Sequence, residues 1–396
     1  MKTKILDRQL IKLPNKVIFC KNCVVSNQRP RTEINSKGIC SACVWSEEKN
    51  NKIDWKLREK ELVELLNKFR KNNGQYDVLV PSSGAKDSAY VAHQLKYKYK
   101  MNPLCITFAP AEWSNIGSRN LSKFIKNGFN TITGRPDGNI NQKISKLGFI
   151  HQGQPFLPFI YGQQTFSYQI AVNNNIPLIM YGENGELEYG GSTKNKYQSF
   201  EDPTDWVEFY FKGAPIEEIV DIGFETGVFK KKDVNKEYVL NIYMPPKLEL
   251  IKKKKVQKHW FSYFKKWIPE ENYYYCNHFT NFHSNNFGRA EGSYTKYVGL
   301  DDKLDGLSFY LSYIKFGLGR TSRDAQQDIR MFHITREEGV KLVNLYDGEF
   351  PKRYHQWSLD YMQINQDEFD ETIEKYRNLN LWQKKNGKYV LKYKVK

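Results

Sequence analysis

Tyr76-Asp77-Val78-Leu79-Val80, running on into Pro81-Ser82-Ser83-Gly84-Ala85-Lys86-Asp87-Ser88, is the stretch on which the reading of the fold turns. Its first five residues are an apolar run of strand type, and from Ala89 to Lys100 the pattern becomes helical, with Val91, Leu95 and Tyr99 four apart. A strand therefore turns sharply into a helix through a loop of small residues. Small side chains let the backbone approach a ligand, and the N–H groups that open a helix, at the positive end of its dipole, suit phosphate. The stretch is not a Walker loop, because the four-residue gap and the Gly-Lys-Ser/Thr ending are missing. The plainer alternative is an ordinary strand-to-helix turn of an α/β protein.

On the N-terminal side, Asp54 reads as the cap of a helix from Trp55 to about Lys71, with Leu62, Leu65, Leu66 and Phe69 on its apolar face and Asn72-Asn73-Gly74 as its stop. On the C-terminal side, Leu104–Ala109 reads as a buried strand, Ile116–Asn127 as a helix and Asn130–Thr133 as a short strand. Phe166–Asn173 follows as part of another helix, and Ile176–Tyr181 as a strong strand. This alternation predicts an α/β fold, a parallel sheet covered by helices, with ligands gathering outside the carboxyl ends of the strands. Three segments should meet there: the loop after Val80, the strand end at Phe108-Ala109, and Gly182-Glu183-Asn184-Gly185-Glu186-Leu187-Glu188-Tyr189-Gly190-Gly191. Three carboxylates on that last loop fit Mg²⁺ binding or the orientation of a nucleophile, against a solvated acidic turn.

Cys20-Lys21-Asn22-Cys23 and Cys40-Ser41-Ala42-Cys43 are two CxxC pairs separated by sixteen residues, a spacing that can bring four thiolates around Zn²⁺ in a closed, structural site, against a redox pair or an iron–sulfur cluster. Between them, Asn27-Gln28-Arg29-Pro30-Arg31-Thr32 fits either a ribbon tip reaching toward an anion or an exposed loop. The other two of the six cysteines are Cys105, in an apolar strand, and Cys276, beside His278 without an elbow-like setting; neither reads as a glutaminase nucleophile. With 396 residues and 40% hydrophobic content the chain can build two or three domains. The expected division is a zinc ribbon over 1–52, an α/β domain over 53–245 and a C-terminal region over 246–396, with the break at Met244-Pro245-Pro246. No run approaches a membrane span and no signal-peptide core is visible, so a cytoplasmic protein is expected. The formal net charge of +17 suits polyanionic company, from nucleic acid to nucleotide-linked substrates, but fits a solvated lysine-rich surface equally well.

The C-terminal part is aromatic and basic, with His259-Trp260-Phe261 and Tyr273-Tyr274-Tyr275, and aromatic spacing of that kind more often marks a core than a base-stacking surface. Between Asp202 and Leu240 the composition is mixed and acidic. The glycines flanking Arg320 allow a loop that aims its guanidinium at phosphate or carboxylate, and Thr335 with Glu338 reads as a capping box opening a helix through Leu345.

Ser83, Gly84, Lys86, Asp87 and Ser88 stand in register with the SGGxDS pyrophosphate loop, and the sequence resembles the N-type ATP pyrophosphatases, with Ala85 in place of the second glycine. Were a positive φ required there, alanine would cost about 1 kcal/mol. The double CxxC with Arg-Pro between, IDW, SSGAKDS, GENGELEYGG, GSYTKY, KFGLGRTSRDA and ITREEGVKLVNLYDGEFP together resemble the N-acetyl sugar amidotransferase family over nearly the whole chain. That resemblance implies an adenine nucleotide alpha-hydrolase-like sheet of the pyrophosphatase-loop type. It also implies ATP-dependent conversion of an acetamido group of a nucleotide sugar into an acetamidino group for a bacterial surface polysaccharide or flagellin glycan. It further implies ATP, Mg²⁺ and Zn²⁺ as cofactors, and ammonia from a separate glutaminase, with a cyclase-like subunit alongside.

By the same resemblance Ser83, Gly84, Ala85, Lys86, Asp87, Ser88 and Phe108 would bind ATP, with Lys86, Asp87, Glu183 and Arg320 catalytic. Asn184, Glu188, Lys296, Lys315 and Arg320 would bind the sugar nucleotide, and Cys20, Cys23, Cys40 and Cys43 the zinc. No nucleic acid is expected as partner. The competing readings are a tRNA thiolation or lysidine-type enzyme with the same loop, and a non-catalytic zinc-ribbon binding protein.

Overall fold

The structure, a computed structural model, describes residues 4–201 and 211–396; the first part of the acidic 202–240 stretch lies outside the described residues. Five strands form one parallel sheet: β1 (Val78–Pro81), β2 (Pro103–Phe108), β3 (Thr131–Gly134), β4 (Leu178–Tyr181) and β5 (Gln257–Trp260), in the order β3-β2-β1-β4-β5. Val80 pairs with Cys105 and Leu79 with Ile179, both in parallel register. The central strands are apolar along their whole length because helices cover both faces. Leu79, Ile106 and Ile179 face one core with the helices Gly138–Gln152, Leu157–Asn173 and Ile216–Glu225. Val80, Cys105 and Met180 face the other, against Trp55–Phe69, Lys86–His93, Asn115–Lys126 and Pro269–Phe279.

The strand order reverses between β1 and β4. After β1 the chain moves outward through β2 and β3, then crosses back to place β4 on the other side of β1. At such a switch point the two neighbouring loops diverge to opposite faces and leave a crevice at the carboxyl ends. The loops of that crevice are 82–85 and 182–191.

The expected break at 244–246 does not end the sheet, since β5 pairs along β4 from Leu178↔Gln257 to Tyr181↔Trp260. The helix Pro269–Phe279 then packs on Lys86–His93. Beyond it the chain is mainly helical, through Asp305–Phe316, Arg320–Arg330, Arg336–Tyr346, His355–Met362 and Gln366–Tyr376. It closes with a hairpin of β6 (Trp382–Lys385) and β7 (Lys388–Leu391). Asp54 caps its helix through the N–H groups of Lys56 and Leu57, and Thr335 and Glu338 form the reciprocal capping box. Among the described residues no helix is long and apolar enough to cross a membrane.

Candidate functional site

The loop after β1 is organised by its own hydroxyls. Ser82 Oγ lies 3.1 Å from Ser88 Oγ and accepts the Gly84 N–H at 3.3 Å, while Ser88 Oγ donates to the Ala85 carbonyl at 3.2 Å. Gly84 carries φ +81°, and a Cβ there would stand 2.7 Å from Leu121 Cα, so glycine is required by conformation and by space. Ala85 has φ −70° and ψ 158°, ordinary extended backbone at the cap of the helix Lys86–His93. The strain anticipated at Ala85 is therefore absent: the positive φ belongs to its neighbour.

Lys86 is buried, with its ammonium 2.5 Å from Asp87 Oδ2 and 5.3 Å from the centre of the Tyr297 ring. Asp87 Oδ1 accepts from Asn272 Nδ2 at 3.1 Å. The C-terminal region reaches the loop itself: Ser83 Oγ donates to Asp301 Oδ2 at 2.6 Å, across 218 residues of sequence. Burial, with Asp87 adding to it and the Ser83 bond opposing it, pushes the Asp301 carboxyl up to about 6. Its Oδ1 is buried without a hydrogen-bond partner among the described residues.

Across the crevice, Asn184 caps the short helix Gly185–Tyr189 through the Glu186 N–H at 3.1 Å, and its own N–H donates to Ser262 Oγ at 3.1 Å. Glu183 Oε1 accepts from the Tyr189 hydroxyl at 3.0 Å. Burial and then the Asp87 carboxylate push Glu183 up to about 7, with Arg323 acting in the opposite direction. The Arg323 guanidinium lies 3.8 Å from the centre of the Tyr189 ring.

The other two carboxylates of this loop are engaged elsewhere. Glu186 pairs with Arg31 at 2.9 Å, and Glu188 forms a buried ion pair with Lys49 at 2.6 Å, both side chains 3% exposed. Arg29 Nε donates to the Gly190 carbonyl at 2.9 Å and Ser41 Oγ to the Gly191 carbonyl at 3.1 Å. The N-terminal ribbon is thus docked on the acidic loop. Its four cysteines are buried with sulfur atoms within 4.8 Å of one another; Cys20–Cys43 is 3.9 Å and Cys23–Cys40 is 3.7 Å. A tetrahedron with Zn–S of about 2.3 Å has edges of about 3.8 Å, so the donor set fits Zn²⁺ in a closed structural site.

The remaining predicted residues are scattered. Phe108, though last in β2, turns its ring into the core against Gly162, Phe166 and Tyr243 and does not face the loop. Arg320 is held by Asp324 through Nε at 2.9 Å and lies over Phe309. Lys315 is 1% exposed, its ammonium 2.9 Å from Asp7 Oδ2 and 3.1 Å from the Gln152 carbonyl. Lys296 is exposed, over the Tyr273 ring at 5.5 Å. Cys105 and Cys276 are both buried, burial pushes both thiols up, and Cys276 Sγ donates to the Lys86 carbonyl at 3.0 Å.

Asp301, Asn272, Tyr297, Tyr189 and Arg323 were not singled out from sequence. The signal open to inspection was the Asp301-Asp302 pair close behind GSYTKY.

Fold and site together define an α/β protein with a parallel sheet and two loops at its switch point: a small-residue loop reached by the mainly helical C-terminal region, and an acidic loop on which the four-cysteine ribbon is docked. Residues 291–396 match the family described as LPS biosynthesis protein WbpG-like, C-terminal domain. The chain is also similar to the uncharacterized protein MJ1599 of Methanocaldococcus jannaschii, at 32% identity over 88 residues, which is 22% of this chain and 31% of that protein. The chain thus covers less than a third of that relative's length.

Proposed function

We propose that the protein is an ATP-dependent amidotransferase that converts an acetamido group of a nucleotide-activated sugar into an acetamidino group for a bacterial surface glycan. The supporting observation is the juxtaposition at the switch point: a hydroxyl-rich loop with Lys86 and Asp87 on one side and Glu183 on the other. The lipopolysaccharide match of residues 291–396 agrees with a sugar substrate. An amide carbon is a poor electrophile. In the proposed reaction the amide oxygen bonds to the α-phosphorus of ATP as the bond to the β-phosphate breaks, giving pyrophosphate and an O-adenylyl imidate. Ammonia then attacks the imidate carbon, AMP departs, and the nitrogen gives up a proton.

Ser83, Gly84, Ala85 and Ser88 would cradle the pyrophosphate, and Lys86 would offset its charge. Mg²⁺ beside Asp87 would supply further charge neutralisation. Glu183, poised near 7, suits the base that takes the proton from the attacking nitrogen. Ammonia would come from a partner glutaminase assisted by a cyclase-like subunit. Pyrophosphate release with ATP, Mg²⁺ and ammonium, comparing diacetamido sugar nucleotides with bulk tRNA, tests the reading. Sugar-dependent release with an amide oxygen replaced by NH in the product is expected. Release with tRNA alone would replace it by the RNA-modifying reading.

A further inference from the structure

Between the ribbon and the N-terminal end of the helix Arg320–Arg330 lies a cavity of about 260 Å³ lined by Arg29, Lys212, Lys315, Arg320 and Arg323, with no carboxylate among the described residues of its wall. Two of these cations are partly compensated from behind: Asp7 lies 2.9 Å from Lys315 and 3.7 Å from Lys212. Asp324 holds Arg320 from its own helix. Arg323 is different. Its Nε is buried without a hydrogen-bond partner, it forms no ion pair among the described residues, and its plane rests on Tyr189.

Cations crowded into one concavity destabilise each other. Burial and then Arg323 push Arg29 down to about 9, and burial and then Lys315 push Lys212 down to about 7. The helix N-terminus does not account for the excess, because Asp347 already accepts the N–H groups of Gly319 and Ser322 at 2.9 and 3.2 Å. A site built of forked guanidiniums with spare donors, and with no acid among its described residues, fits the oxygens of a phosphoryl group.

We infer that this cavity, walled by Arg29 of the ribbon and by Arg320 and Arg323 of the C-terminal region, is a phosphate-ester or diphosphate site for the acceptor, separate from the loop after β1. Tyr189 joins the two, carrying Arg323 on its ring and donating to Glu183. An acceptor anchored by its phosphoryl group in the cavity presents its uncharged part toward Glu183. This deepens the proposed reaction and rests on it only for what that uncharged part carries.

Calorimetric titration with N-acetylglucosamine 1-phosphate, with free N-acetylglucosamine and glucuronate as controls, tests it on the full chain. Binding of the phosphate ester is expected to weaken at least about tenfold in Arg323→Gln and in Arg29→Gln, and to persist in Lys86→Ala. Arg29 and Arg323 both touch the Tyr189 segment, so Arg320→Gln, whose side chain lies over Phe309, is titrated as well and is expected to weaken the ester likewise. Unchanged binding in all three arginine variants, equal binding of the uncharged sugar, preference for glucuronate, or loss confined to Lys86→Ala would each overturn the inference. Binding of α,β-methylene-ATP is measured in parallel. Its absence alongside intact phosphate-ester binding would remove the activation chemistry and leave the cavity standing.

Discussion

The two loops at the switch point are held by opposite means. The loop after β1 closes on its own hydroxyls and backbone, with Asp301 as its distant partner. The loop after β4 is clamped from outside by Arg29, Arg31, Ser41 and Lys49, all on the ribbon. Small polar residues can satisfy one another within a tight turn, whereas three carboxylates on ten residues repel and need cations brought from elsewhere. The ribbon brings them, and its own shape depends on four thiols. A metal held by those four thiols would therefore shape one wall of the crevice from a distance.

The comparison breaks most readily at the metal. A structural zinc contributes on the order of 10 kcal/mol to a small domain, so Cys40→Ser is expected to abolish stoichiometric zinc by elemental analysis. It should also raise hydrogen exchange over 186–191 while leaving 82–88 protected. Equal loss in both loops would mean that they share one support.

Lys49→Met comes next. It strands Glu188 in the interior and should destabilise the protein by about 3–5 kcal/mol in urea titration, most of which returns in Lys49→Met/Glu188→Met. Persistent loss in the double variant would show that the pair matters for more than its charge. Gly84→Ala should cost about 1–3 kcal/mol and act on the first loop alone; an unchanged melting temperature would remove the steric argument from Leu121.

The smallest effect concerns pH. Glu183 has its carboxyl raised from an ordinary 4.5 to about 7, so folding favours the protonated form. That stability is fully present below about 4.5 and is lost as pH rises through about 7. Glu183→Gln should therefore gain stability relative to the parent at pH 8 but not at pH 4, while losing turnover if the carboxylate is the base. A gain independent of pH would show that the carboxyl does not titrate in this window.

The elements that were legible in sequence are those with strong local signals. The apolar runs of β1, β2 and β4, the cap at Asp54, the capping box at Thr335 and the CxxC spacing all act within a few residues. β5 was hidden because Gln257-Lys258-His259-Trp260 has no apolar pattern; Lys258 is buried there by an ion pair with Glu201 and a 2.8 Å hydrogen bond to Gln164. Asp301 and Arg323 were hidden for the same reason, since their partners lie on other segments. Glu188 looked like a site residue because its neighbours in sequence are acidic, and only the tertiary pairing with Lys49 removes it from the crevice. The Arg29-Pro30-Arg31 tip, open in sequence between an anion contact and an idle loop, holds Gly190 and Glu186 in place.

The bond from Ser83 to Asp301 also sets an order of events on the ribosome. At a synthesis rate of about 5–20 residues per second, the 218 residues between them take roughly 10–40 s to appear. Throughout that interval the sheet's first loop exists without its partner. Nascent chains stopped short of residue 301 would carry the complete loop motif and still lack the carboxylate that fixes Ser83, so the site is finished late, by residues of the last quarter of the chain.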